Sequence, residues 1–131
     1  MRFLIVDDDE SIQLYLQAVL APFARCDGAA SGEAGVAVFD GAHAAGDPYD
    51  VVMMDILMPG MDGHQAAETM RAREAALGVG PLQAFKLVMI TSLVDDANVS
   101  RAFFQAHATC YLVKPFDKAT ILDELRENLI L

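Results

Sequence analysis

The chain has 131 residues, of which 54% are hydrophobic and 21% charged, and it carries a formal net charge of −10. That length suits one hydrophobic core, and no apolar stretch reaches the ~18 residues that a membrane-spanning helix needs. Nine Lys and Arg against nineteen Asp and Glu oppose a phosphate backbone as partner, so neither nucleic acid nor membrane is expected to bind.

In chain order, "FLIV" at 3–6 reads as a strand, followed by a helix over 10–23 with Ile12, Tyr15, Leu16, Val19 and Leu20 on one stripe. A weak strand is expected at 24–27, then a helix over 31–42 for which Ser31 supplies the N-cap. "DVVMM" at 50–54 is the clearest strand, and a helix runs from Gly63 to about Leu77. "KLVMI" at 86–90 predicts a strand, 95–106 a helix, and "TCYLV" at 109–113 a last strand; Asp117 caps a helix running to about Leu129.

These make five strand-then-helix units. The strands are continuous apolar runs rather than alternating ones, as parallel strands buried on both faces must be. Right-handed crossovers then give an α/β fold, a doubly wound five-stranded parallel sheet with helices on both faces. No repeat, low-complexity tract or linker breaks the pattern, so residues 1–131 are expected to form a single domain with no output domain.

"MRFLIVDDDE" has acids directly after a short apolar run and no small-residue cleavage site, which argues against a signal peptide. Cys26 and Cys110 lack metal-ligand spacing. One disulfide or two buried thiols are both compatible with that, and two thiols in a cytoplasmic protein is the expectation. Met53, Met54, Met58 and Met61 read as adaptable packing. His43, His64 and His107 have no evident partners in sequence, and surface or incidental roles are expected of them.

Chemistry concentrates where the strands end, which in such sheets is where ligands bind. Strand one ends in Asp7, Asp8 and Asp9, strand three in Asp55, strand four in Thr91 and Ser92, and strand five in Lys114 before Pro115. A carboxylate at the mouth of a buried strand is costly unless a cation or hydrogen bonds attend it. Crowded carboxylates without His or Cys point to Mg²⁺ or Mn²⁺, which keep waters free for a substrate phosphate. A carboxylate beside such a cation can attack phosphorus, while a lysine and a hydroxyl stabilise the phosphoryl oxygens.

The motifs "FLIVDDDE" (3–10), "VVMMDILMPGMDG" (51–63), "VMITS" (88–92) and "YLVKPF" (111–116) resemble, in order and over the whole chain, those of the receiver domains of bacterial two-component response regulators. The resemblance implies a flavodoxin-like sheet of strand order 2-1-3-4-5. It also implies that Asp55 is the phosphoacceptor, charged by a sensor histidine kinase. By the same resemblance Asp7 and Asp8 are metal ligands together with Asp55 and the backbone carbonyl of Leu57. Thr91 and Tyr111 become the switch pair and Lys114 the site's lysine, with a cis bond expected before Pro115; Asp9 falls outside the site and helps to start the first helix.

The face built by the helix at 95–106, the strand at 109–113 and the last helix offers Arg101, Phe103, Gln105, Tyr111 and Lys118 to a downstream protein target, a histidine phosphotransfer protein or a second copy in a homodimer. Three departures from the family pattern stand out: long loops at 41–50 and 77–85, and His107 where a glycine usually ends a helix. Leu57 and Leu93 occupy positions that tune phosphate lifetime across the family; being apolar, they predict a long-lived aspartyl phosphate.

Two other readings remain at this stage. A haloacid-dehalogenase-like phosphatase would use Asp7-x-Asp9-x-Ser11 on strand one, and a pseudo-receiver would bind a partner without phosphorylation.

Overall fold

Alternation along the strands decides the architecture. In β1 (Arg2–Val6), Phe3 and Ile5 join one apolar cluster while Leu4 and Val6 join another. Successive side chains point to opposite faces, so a continuous apolar run needs cover on both. The computed structural model, which describes residues 1–92 and 107–131, supplies that cover. The elements are β1, α1 (Glu10–Leu20), β2 (Arg25–Ala29), α2 (Gly32–Ala44), β3 (Val51–Asp55), α3 (Gly63–Ala76), β4 (Lys86–Thr91), β5 (Ala108–Val113) and a C-terminal helix (Lys118–Glu127). The helix expected at 95–106, with Arg101, Phe103 and Gln105, and Leu93 before it, lie outside the described residues.

All strand pairs are parallel, in the order β2-β1-β3-β4-β5. One face packs Leu16, Val19 and Leu20 of α1 and Ile121, Leu122 and Leu125 of the C-terminal helix against Phe3, Ile5, Met53, Val88 and Ile90. The other packs α2 and α3, through Phe39, Ala66, Ala67 and Met70, against Leu4, Val6, Met54 and Met89. The predicted doubly wound sheet and its strand order are therefore both present.

Boundaries moved where local signals were weak. The first helix ends at Leu20, not residue 23; Ala21 caps it and Phe23 N–H already bonds back to Leu20 O in a turn. Tyr15, placed on the apolar stripe, is 39% exposed. The second strand lies at 25–29 rather than 24–27: it is an edge strand of largely exposed residues, "RCDGA", whose register comes from pairing with β1. Cys26 and Cys110 are free. They sit on the two opposite edge strands, four strand spacings or about 19 Å apart, too far for a disulfide. Cys110 is buried and Cys26 half-buried.

The long loops are pinned. Arg2 pairs with Asp27 at 3.0 Å and Asp47 at 3.5 Å, and Arg25 with Asp47 at 3.2 Å, tying residues 45–50 to the sheet edge. Behind loop 77–85, Glu74 is buried; it pairs with Arg71 at 3.1 Å and accepts the Phe85 N–H at 2.7 Å. Arg71 in turn stacks on the Phe85 ring and donates to His107 O at 3.2 Å. His107 adopts φ +56, the left-handed conformation expected where glycine is usual.

Candidate functional site

Because the strands run parallel, their carboxyl ends share one rim. β3 delivers Asp55 as its last residue, and Asp7 and Asp8 follow the end of β1 directly. Oxygens of Asp7, Asp8 and Asp55 all lie within 4.8 Å of one another, the one such acidic, thiol or imidazole cluster among the described residues. Asp7 is fully buried, Asp55 is 5% exposed, and Asp8 is open to solvent. Asp9 turns away to cap α1, accepting Ser11 N–H at 2.9 Å and Ser11 O–H at 2.6 Å. Its N–H donates to Asp7 Oδ1 at 2.9 Å, which fixes that carboxylate.

Lys114 faces the cluster from the end of β5. Its Nζ stands 3.0 Å from Asp7 Oδ2 and 3.7 Å from Asp55 Oδ2. β5 is two strands from β3, about 10 Å, so only a long side chain reaches. Its backbone N–H donates to Thr91 O at 2.7 Å, and the Lys114-Pro115 bond is cis, as expected.

Thr91 ends β4, buried, one position beyond Ile90, the residue in register with Asp55. Tyr111 is in register with Met89 and packs, half-buried, on the α2–α3 face. Two-residue periodicity puts Thr91 on the same face as Met89, so the two switch candidates share it. Leu57 lies on the loop after β3 and is 58% exposed.

The electrostatics are unbalanced. Burial, then the Asp7 charge, push the Asp55 carboxyl up to about 7, and Lys114 only partly opposes this. Burial works against the lysine's own charge, but the hydrogen bond to Asp7 and the charges of Asp55, Asp7 and Asp8 hold it above its ordinary value. An all-oxygen, electron-rich donor set left short of positive charge fits a hard divalent cation.

The loop after Asp55 is held closely. Ile56 N–H bonds Ile90 O, and Gly63 N–H bonds Ile56 O, both at 2.9 Å. A Cβ on Gly63 would stand 2.2 Å from Asp55 O, so only glycine fits. Asp62 and Gln65 form a reciprocal capping box on α3, a Asp-x-x-Gln signal legible in sequence but passed over there. Also missed was Glu33, whose Oε1 accepts Met61 N–H at 2.9 Å; nothing in its position along the chain points to a residue 28 places on. His64, for which a surface or incidental role was expected, is buried at the start of α3. Met53, Met54 and Met58 are core residues, as anticipated.

The family model described as "Response regulator receiver domain" matches residues 3–126. This chain belongs to that family. The receiver is 31% identical over 129 residues to chemotaxis protein CheY of Halobacterium salinarum, covering 98% of this chain and 96% of that one. It is 32% identical over 124 residues to regulatory protein VanRB of Enterococcus faecalis, covering 93% of this chain and 49% of the relative. With sensor histidine kinase GacS of Pseudomonas protegens it shares 34% identity over 122 residues, 89% of this chain and 12% of that protein. The receiver thus spans half or less of the length of those last two relatives. Among solved structures, Vibrio cholerae chemotaxis protein CheY4 superposes with TM-score 0.78 at 25% identity, covering 96% of each chain. A CheY-like receiver from Methanospirillum hungatei JF-1 shares the fold with TM-score 0.79 at 24% identity. The family places the receiver in two-component signalling, and no described helix is long and apolar enough to cross a membrane.

Proposed function

We propose that the receiver accepts a phosphoryl group on Asp55 from a sensor histidine kinase, and that the acylphosphate resets a protein-binding face. The observation that carries this is the Asp7–Asp8–Asp55 cluster with Lys114 Nζ 3.0 and 3.7 Å from two of its members. Asp7, Asp8, Asp55 and the Leu57 carbonyl would hold Mg²⁺ or Mn²⁺, which when bound supplies positive charge for the carboxylates and phosphoryl oxygens.

A bond forms from an Asp55 carboxylate oxygen to phosphorus as the P–N bond of phosphohistidine breaks. The attacking carboxylate must be ionised. With its carboxyl pushed up to about 7, ionisation and cation binding favour each other. Lys114 neutralises a phosphoryl oxygen and the Thr91 hydroxyl donates to another. Thr91, drawn toward the phosphate, leaves space on the face it shares with Tyr111, and Tyr111 turns inward. The face that β5 and the C-terminal helix present then changes its affinity for a downstream protein, a histidine phosphotransfer protein or a second copy; a bias of about 1–3 kcal/mol suffices. This is a cytoplasmic signalling role with no turnover beyond the protein's own phosphorylation and dephosphorylation.

The phosphatase alternative needs Asp9 beside the nucleophile, whereas Asp9 is occupied in capping α1. The test is radiolabelled acetyl phosphate with and without Mg²⁺. The expected result is Mg²⁺-dependent labelling of the unsubstituted chain and none of Asp55→Asn; equal labelling of both would refute the assignment. In Lys114→Ala, labelling is expected to persist while the phosphorylation-dependent change in partner binding weakens.

A further inference from the structure

We propose that Glu33 is a positioning residue for the cation site, acting through the loop that carries Leu57. This rests on the assignment of the Leu57 carbonyl as a ligand in the function proposed above.

Residues 56–62 leave β3 and must present one carbonyl to the rim while reversing into α3. The loop's two ends are fixed. Ile56 is tied to β4 and to Gly63, and Asp62 begins the reciprocal cap with Gln65. Between them, the hydrogen bond from Met61 N–H to Glu33 Oε1, at 2.9 Å, reaches across to the first turn of α2.

Two glycines make that approach close. Gly60 has φ +75, and a Cβ on it would stand 2.8 Å from Glu33 Oε1. A Cβ on Gly32 would stand 2.8 Å from Met61 O. The backbone of α2's first turn is thus seated on the loop, and the Glu33 carboxylate is the side chain that joins them. The hydrogen bond from Met61 N–H, foremost, holds the Glu33 carboxyl below its usual range, so the acceptor stays ionised. Side chains of this kind that orient a ligand without touching the metal commonly change its affinity by an order of magnitude or more. One step further removed and joined by a single hydrogen bond, Glu33 should act more modestly.

The test compares Glu33→Ala and Glu33→Gln in the full chain by two readouts. One is Met61 amide exchange by NMR; the other is Mg²⁺ affinity of the unphosphorylated protein by calorimetry. Glu33→Ala should speed Met61 exchange about tenfold or more and weaken Mg²⁺ about three- to tenfold. Glu33→Gln keeps an acceptor oxygen and should restore both to within about twofold. Unchanged Mg²⁺ affinity in Glu33→Ala overturns the inference, as does a glutamine variant as weak as the alanine one, which would make charge alone the cause. If the unsubstituted chain binds no Mg²⁺, the function proposed above fails and takes this inference with it; failure confined to the Glu33 comparison overturns the inference alone.

Discussion

Asp55→Asn should make the receiver more stable while abolishing its phosphorylation. In the folded chain the Asp55 carboxyl is raised from 3.8 to about 7, chiefly by burial and then by the Asp7 charge. That is about 3 pH units, and at 1.36 kcal/mol per unit it corresponds to about 4 kcal/mol held against the folded state once Asp55 ionises. Solvent at the rim and shared titration within the cluster reduce this to about 2–4 kcal/mol. The sign follows from the raised value. Asp55's contribution is most favourable below about pH 4, where it is protonated in both states, and is lost as pH rises through about 7. Asparagine has the same shape and no charge, so the stability gap between variant and parent should be under about 1 kcal/mol at pH 4. It should widen to about 2–4 kcal/mol at pH 8.

The assay is urea unfolding in EDTA at both pH values, followed by circular dichroism because the chain has no Trp. Adding Mg²⁺ at a hundredfold excess over its dissociation constant should raise the parent by about 2.7 kcal/mol and narrow the gap. A variant no more stable than the parent at pH 8, or a gap independent of pH, would refute the electrostatic account of the site.

Gly63→Ala places a Cβ 2.2 Å from Asp55 O and 2.9 Å from Ile56 Cα, against backbone that cannot give way as a flexible side chain would; we expect a loss of about 2 kcal/mol or more in thermal unfolding, with weaker Mg²⁺ binding. Arg71→Ala strands Glu74, whose side chain is 6% exposed, and should cost about 3 kcal/mol in urea unfolding; a loss under about 1 kcal/mol would show that the pair is solvated. Leu57, at the rim but apolar, cannot orient an attacking water, so the phosphorylated parent should keep its label well beyond seconds, and Leu57→Asn should shorten the half-life severalfold.

How much of this was legible beforehand depended on whether the signal was local. Buried strands announce themselves as apolar runs, and β1, β3 and β4 appeared within a residue or so of their predicted places because both of their faces are covered. β2 was misplaced by one to two residues because a largely exposed edge strand without an apolar run carries little pattern and is defined by its neighbour. Ser31, Asp9 and Asp117 were recognisable as helix starters, since capping needs only a short polar side chain next to its own helix. The burial of His64, which excludes the surface half of its expected surface or incidental role, was not legible because a single histidine carries no periodicity that reveals which way it faces.

The order of strands and the residues ending them were enough, in sequence, to nominate Asp7, Asp8, Asp55, Thr91 and Lys114, since parallel strands bring their carboxyl ends to one rim whatever the loops do. Distances were not available there. That Lys114 lies nearer Asp7 than Asp55, that Asp8 is the exposed one of the three acids, and that Glu33 grips the loop beyond Asp55 are outcomes of packing between segments far apart in the chain. Composition and spacing fix which groups reach the rim. How much water each keeps, and so how hard each holds its proton, is set only when the sheet and its helices close around them.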